Sequence, residues 1–318
     1  SKRLLIAGSQ VRVLSPEPYV MKIFVSGIAG FLGSHLADAF IKDGHNVVGC
    51  DSLIGGELSN VPAEAEFYQY DCCYRNSMLK ITKGCDLVYH TAATAYEGLS
   101  VFSPHLITNN IVTGSVSLFS AAIENKVKRI VFCSSMARYG TNKVPFREDY
   151  TPKPQDPYGI AKVAAEDILK NLCEVHNVEY VIAVPHNIIG PRQKYDDPYR
   201  NVASIMINRC LQGLPPIIYG DGQQTRCFSF IQDVLNCLMT ACLEIEPLGN
   251  VINIGPDEEV ITINELASKI CEITGFKGKP KFLPARPQEV KHAVCSSDKA
   301  RKILDYGTKV NLDDGLQS

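Results

Sequence analysis

The chain of 318 residues contains no tryptophan, and its longest unbroken run of apolar or aromatic side chains is five residues, Tyr180 to Val184. A bilayer-spanning helix needs about 20 predominantly apolar residues, so no membrane span is expected. Neither sign of charge dominates: 32 Lys plus Arg stand against 34 Asp plus Glu, a formal net charge of −2. That balance lacks the basic excess with which nucleic-acid binders neutralise phosphates, so nucleic acid is not an expected partner. Cys-x-x-Cys is also missing, although there are 12 cysteines. They are scattered, with one adjacent pair at Cys72 and Cys73, and indicate neither a zinc site nor a disulfide framework. Positions such as Cys133, after Ile130-Val131-Phe132, suit small buried hydrophobes; reduced thiols, a cytoplasmic setting and no metal are expected.

The remaining composition, 45% hydrophobic and 21% charged, is that of a globular protein. Its length corresponds to one large domain or two intimately packed ones. Residues 1–20 begin basic, and their apolar stretch Leu4 to Gly8 is too brief for a secretion signal. The segment ends in Ser15-Pro16-Glu17-Pro18, a breaker, and reads as an extension outside the fold.

The fold proper is expected to begin with a strand at Lys22 to Ser26, leading into Gly27-Ile28-Ala29-Gly30-Phe31-Leu32-Gly33 and an amphipathic helical pattern. Strand, glycines and helix come in the order a phosphate site needs. Glycine permits a tight turn and close approach of a pyrophosphate, which the free amides and positive dipole end of the helix then stabilise. The next strand, Asn46 to Cys50, ends in Asp51, 24 residues after Gly27, where a carboxylate can bind a ribose diol. It would repel a 2′-phosphate, so NAD is favoured over NADP.

Further strands are expected at about Ala65 to Tyr70, Asp86 to Tyr89, Arg129 to Cys133 and Glu179 to Val184, with helical stretches between most of them. This alternation implies an α/β, Rossmann-type doubly wound parallel sheet. After about residue 185 the pattern becomes irregular and richer in Pro and Gly. A smaller, interleaved α/β substrate-binding lobe is expected over 186–318, with part of 226–255 returning to the cofactor domain of 21–185.

Tyr158-Gly159-Ile160-Ala161-Lys162 follows Asp156-Pro157 at the start of an apparent helix, which puts Tyr158 and Lys162 on one face. An ammonium there can stabilise a phenolate, making the tyrosine a base near neutrality. With 14 tyrosines and 20 lysines, about one pair at this spacing arises by chance. Two are present; the other, Tyr139 and Lys143, spans a Gly-Thr-Asn turn, where residues four apart need not face each other. The strand Arg129 to Cys133 runs into Ser134-Ser135, and carboxyl ends of parallel strands are where such sheets place their sites.

With these features in this order, together with Tyr70-Asp71, His90-Thr91-Ala92-Ala93 and Asn187-Ile188-Ile189-Gly190-Pro191-Arg192, the chain from Met21 to Gly315 resembles the extended short-chain dehydrogenase/reductase superfamily, in its nucleotide-sugar epimerase/dehydratase branch. The resemblance implies that Asp71 approaches the adenine, Ala92 and Ala93 line the cofactor cleft, and Ser135 is the catalytic hydroxyl beside Tyr158 and Lys162. It adds Phe31, Leu32, Cys72 and Pro185 to the cofactor contacts and assigns Asn187, Arg200, Arg226 and Arg286 to the nucleotide-sugar diphosphate. Ala293, seven residues after Arg286, would face the sugar, with room for an N-acetyl group.

In relatives that dehydrate their substrate the hydroxyl is followed by Asp-Glu; here Met136-Ala137 follow Ser135, and neither transfers a proton. C4 epimerisation of a nucleotide-diphosphate sugar, a UDP-hexose or UDP-N-acetylhexosamine, is therefore favoured. Oxidation, reduction or decarboxylation of such a sugar, and a non-catalytic NAD sensor, are the alternatives. Two departures from relatives stand out: His186, at a place often aromatic or apolar, and Arg138 within Ser-Ser-Met-Ala-Arg-Tyr-Gly. By the same resemblance a homodimer is expected, formed through the helices around Asn109 to Ala122 and Tyr158 to His176.

Overall fold

The computed structural model describes residues 20–197, 201–286 and 290–318, together with residues 5–6 and 11–12, which pair as a two-stranded antiparallel ribbon apart from the main sheet. That sheet has seven strands: β1 (Lys22–Ser26), β2 (Asn46–Cys50), β3 (Glu66–Tyr68), β4 (Leu87–His90), β5 (Arg129–Cys133), β6 (Glu179–Pro185) and β7 (Val251–Ile254). Their spatial order is 7-6-5-4-1-2-3, and every pairing is parallel. Strand order reverses between β1 and β4, and the crevice beyond the carboxyl ends at such a point is where open α/β sheets bind ligands.

Both sheet faces are apolar because helices cover both. Ile23 and Val25 of β1 point to one side, where they join Leu36, Ala37 and Phe40 of α1 (Phe31–Lys42) and Val234 and Leu238 of a later helix, Ile231–Leu243. Phe24, between them, joins the opposite core with Leu118 and Phe119 of α2 (Gly114–Glu124) and Ala165 and Leu169 of α3 (Pro157–His176). The period of two along the strand thus supplies both layers.

The stretch Pro104–Glu124 is apolar and long enough to cross a membrane by composition, although polar residues interrupt every apolar run in it. Half of its most apolar window is buried inside the protein, so the folded layer accounts for its hydrophobicity.

The remaining residues form a smaller unit with its own core, in which Ala203 and Met206 of the helix Val202–Leu211 join Leu266 and Ile270 of the helix Ile263–Thr274. Thr262 and Glu265 form a capping box at the start of the second helix, as Thr-x-x-Glu predicts. Short strands bind this lobe together: Thr225–Arg226 pairs antiparallel with Ile261–Thr262 and parallel with His292–Ala293. The chain is interleaved, because β7 and the helix Ile231–Leu243 return to the main sheet between parts of the smaller lobe.

Candidate active site

The glycine turn is shaped by two near contacts. Gly27 has φ +72°, and a Cβ there would lie 2.9 Å from the backbone of Ala92, so only glycine fits both the conformation and the space. A Cβ on Gly33 would fall 2.2 Å from the carbonyl oxygen of Gly27, so this glycine lets α1 pack against the turn. Gly30 is the N-cap of α1, whose first amides therefore face the crevice. Asp51, at the end of β2, accepts from the amides of Ala29 at 3.1 Å and Leu53 at 2.8 Å, tying the glycine turn to the second strand.

His90-Thr91-Ala92 secures the other wall. Buried His90 contacts Ser26 Oγ at 2.7 Å through Nδ1 and Ser115 Oγ at 2.9 Å through Nε2. Burial, with a smaller contribution from the Lys162 cation, pushes its pKa down to about 3, so the ring is neutral near physiological pH. The Ser26 hydroxyl also accepts from the amide of Ala92 at 3.2 Å, which sets Ala92 opposite Gly27.

The catalytic candidates come from two elements. Asp156 caps α3, accepting from the amide of Gly159 at 2.9 Å, and Pro157 starts the helix. Tyr158 and Lys162, one turn apart, are both buried and both line the crevice. Lys162 Nζ donates to the carbonyl of Cys133 at 2.8 Å and lies 4.8 Å from the Phe132 ring centroid. Burial lowers its pKa to about 8, opposed by Cys133 and by the Glu166 carboxylate. Ser135, just beyond β5, accepts from the amide of Ala137 at 3.2 Å, which orients its hydroxyl oxygen. The competing pair does not meet the same test: Tyr139 is buried and donates to Asn253 Oδ1 at 2.7 Å, while Lys143 is exposed.

One crevice of about 1030 Å³ brings the two halves together. Its walls include Gly27, Gly30, Phe31, Leu32, Gly33, Asp51, Asp71, Cys72, Ala92, Ala93, Pro185, Ser135, Tyr158 and Lys162, and on the lobe side Asn187, Arg226 and Arg286. Asn187 has φ +31° and donates through Nδ2 to the carbonyl of Cys227 at 2.9 Å. Arg226 donates to the carbonyl of Val290 at 2.7 Å, and the Arg286 guanidinium lies 3.9 Å from the ring centroid of Tyr219.

Ala293 is buried in the core on the sheet side, in register with Arg226, and is not among the residues that line the crevice. Arg200 lies outside the described residues. His186 is fully buried, and its pKa is pushed down to about 3 by that burial, so it acts as a neutral core residue behind Asn187.

Sequence reasoning missed Asn110, which lines the crevice and donates to Thr94 Oγ1 at 2.9 Å. It belongs to a π-helical turn, Asn109–Thr113, a widened coil that no local pattern announces. It also missed Arg192, which lines the crevice and pairs with Asp38 of α1 at 2.6 Å.

A glycine turn at a helix start, an acid at the end of the second strand and a Ser, Tyr and Lys set on the adjacent strand and helix define a nucleotide-dependent enzyme of the short-chain dehydrogenase type. Residues 23–255 match the NAD dependent epimerase/dehydratase family, and the chain belongs to it. It is 31% identical over 307 residues to a UDP-glucose 4-epimerase of Mycolicibacterium smegmatis, covering 93% of this chain and 96% of the relative. Among solved structures it resembles the UDP-glucose 4-epimerase of Thermotoga maritima with UDP-glucose, at TM-score 0.89 and 32% identity, covering 93% of this chain and 96% of that one. It also resembles the UDP-N-acetylglucosamine 4-epimerase of Methanobrevibacter ruminantium in complex with UDP-N-acetylmuramic acid, at TM-score 0.87 and 30% identity, covering 94% and 96%.

The residues fit the family's cofactor. The two glycines whose Cβ atoms would strike backbone leave the helix start open to a pyrophosphate, and Asp51 offers a carboxylate to a ribose.

Proposed function

We propose that the protein interconverts the C4 epimers of a nucleotide-diphosphate sugar, a UDP-hexose or UDP-N-acetylhexosamine. The observation that carries this reading is the shared crevice, lined by the glycine turn, by Ser135, Tyr158 and Lys162, and by Asn187, Arg226 and Arg286. Its volume of about 1030 Å³ lies at the upper end of the roughly 300–1,000 Å³ usual for ligand pockets. Arginine forks suit a diphosphate, and the relatives that carry UDP-sugars in their names supply the nucleotide.

NAD, held by the glycine turn and Asp51, would supply reversible hydride transfer at C4 with no net redox change. Tyr158 takes the C4 hydroxyl proton while Ser135 orients that oxygen and the Lys162 ammonium stabilises the phenolate. Once the 4-keto sugar has presented its other face, Tyr158 gives the proton back to the C4 oxygen. Protons and electrons balance, with no net redox change. Met136 and Ala137 offer no second acid and base, which separates the site from a dehydratase.

The proposed assembly is a homodimer through the helices around Asn109 to Ala122 and Tyr158 to His176. Exposed Ile160 and Val175 on α3 support it, since exposed large apolar side chains can mark contact surfaces. A cytoplasmic setting agrees with the free state of every described cysteine.

The test is an NMR panel of paired nucleotide sugars with added NAD. Interconversion of one 4-epimer pair without net NADH is the expected result. Release of CO₂ or stoichiometric NADH would replace epimerisation by decarboxylation or oxidation. A monomeric mass in light scattering at micromolar protein would overturn the dimer.

A further inference from the structure

Arg138, the unusual residue after the catalytic serine, is 2% exposed, and its partner Glu166 is wholly buried. The guanidinium engages the carboxylate through Nε at 2.9 Å to Oε1 and through Nη2 at 3.0 Å to Oε2. The same carboxylate accepts from the hydroxyl of Ser134, immediately before Ser135. Glu166 is one turn beyond Lys162 on α3, so Tyr158, Lys162 and Glu166 form a buried stripe with spacing i, i+4, i+8. The end of β5 and the segment after it are consequently fastened to α3 at three points. Lys162 holds the carbonyl of Cys133, Glu166 holds Ser134, and Glu166 also holds Arg138. Ser135 lies between the second and third.

A buried ion pair is a poor device for stability alone, because apolar side chains of similar volume do as well without the desolvation cost. Bonds that reach across two catalytic elements are, however, an effective way to fix their relative position, to which reaction rates are sensitive. We infer that Arg138 and Glu166 are a positioning pair for the catalytic centre, holding Ser135 in register with Tyr158 and keeping an anion one turn from the Lys162 ammonium. This rests on the proposed reaction for its kinetic consequence but not for its electrostatic one.

The groups facing Lys162 are Tyr158 and Glu166 from α3, Cys133 from β5 and His90 from β4, with Arg138 and Lys170 behind Glu166. Of these, Glu166 supplies the buried carboxylate, and Cys133 and Glu166 together raise the Lys162 pKa against burial. Glu166→Gln keeps the shape and removes the charge. In that variant kcat is expected to fall about tenfold to a hundredfold with KM within about twofold, as loss of position rather than of binding requires. The Lys162 titration, followed by NMR of labelled lysine and assigned with Lys162→Met, is expected to move to lower pH. Arg138→Met should lower kcat similarly, and Arg138→Lys should recover part of it.

A folded, NAD-loaded Glu166→Gln protein with wild-type kcat and wild-type Lys162 titration would overturn the inference. If that variant does not fold, Ser134→Ala and Arg138→Lys decide: reduced kcat at unchanged NAD content supports the pair, and wild-type kcat in both overturns it. If the wild type epimerises none of the sugars, the Lys162 shift still tests the pair, so failure of the proposed reaction is separable from failure of this inference.

Discussion

Lys162 Nζ lies 2.8 Å from the carbonyl oxygen of Cys133, so the helix that carries Tyr158 is hydrogen-bonded to the strand end that leads to Ser135. Ser135 and Tyr158, the proposed catalytic pair, are 23 positions apart in the chain, and their alignment depends on helix and strand staying docked.

Tyr158→Phe should remove most epimerase activity while leaving NAD bound, because the phenol transfers the proton whereas the cofactor is held mainly by the glycine turn, Asp51 and Lys162. Proton transfer of this kind contributes roughly 10²- to 10⁴-fold. Turnover and bound NAD measured on the same preparation check it; wild-type turnover would exclude Tyr158 as the base.

Asp51→Ala should weaken NAD binding by about tenfold or more and narrow the preference over NADP, as loss of ribose hydrogen bonds and of phosphate repulsion requires. The amides of Ala29 and Leu53 also lose their acceptor, so the turn itself should loosen. Titration with both cofactors checks this. An unchanged affinity ratio would remove Asp51 from the cofactor site.

Gly33→Ala places a methyl 2.2 Å from the carbonyl oxygen of Gly27, a backbone atom that cannot rotate away. Overpacking of this sort costs about 1–3 kcal/mol. A lower melting temperature and weaker NAD binding should appear together; a variant matching wild type in both would show that α1 can shift freely.

Catalysis should decline on the alkaline side. Burial lowers the Lys162 pKa to about 8, so the ammonium that stabilises the Tyr158 phenolate is present below that value and is lost as pH rises through it. The kcat profile from pH 6 to pH 10 checks this, and a rate still rising well above pH 9 would contradict it. His90 and His186, each held near pKa 3, stay neutral over this range and add no limb.

Much of the cofactor half was legible in the chain because its signals are local. A strand of five residues, three glycines at spacing three and a following helix lie within Lys22 to Lys42, and alternation of Ile23, Phe24 and Val25 follows directly from the pleat. Tyr158 and Lys162 were equally readable, since four residues is one helical turn and Asp156-Pro157 marks the start.

Other features depended on which distant segments meet. Val251–Ile254 reads as one short apolar run among many, and only its pairing with Glu179–Pro185 makes it the seventh strand. Ala293 follows Arg286 at a suggestive interval, yet only the fold shows it buried in the sheet-side core and paired with Arg226. Arg138 and Glu166 are 28 residues apart and appear unrelated in sequence; docking of α3 on β5 makes them partners. The sequence by itself determined the first strands and helices of the cofactor half, the glycine turn and the Tyr158–Lys162 spacing, because backbone periodicity and steric rules act over a few residues. Tertiary structure decided burial depth, charge pairing and the reach of each side chain into the crevice, because those depend on close packing between segments that no local pattern specifies.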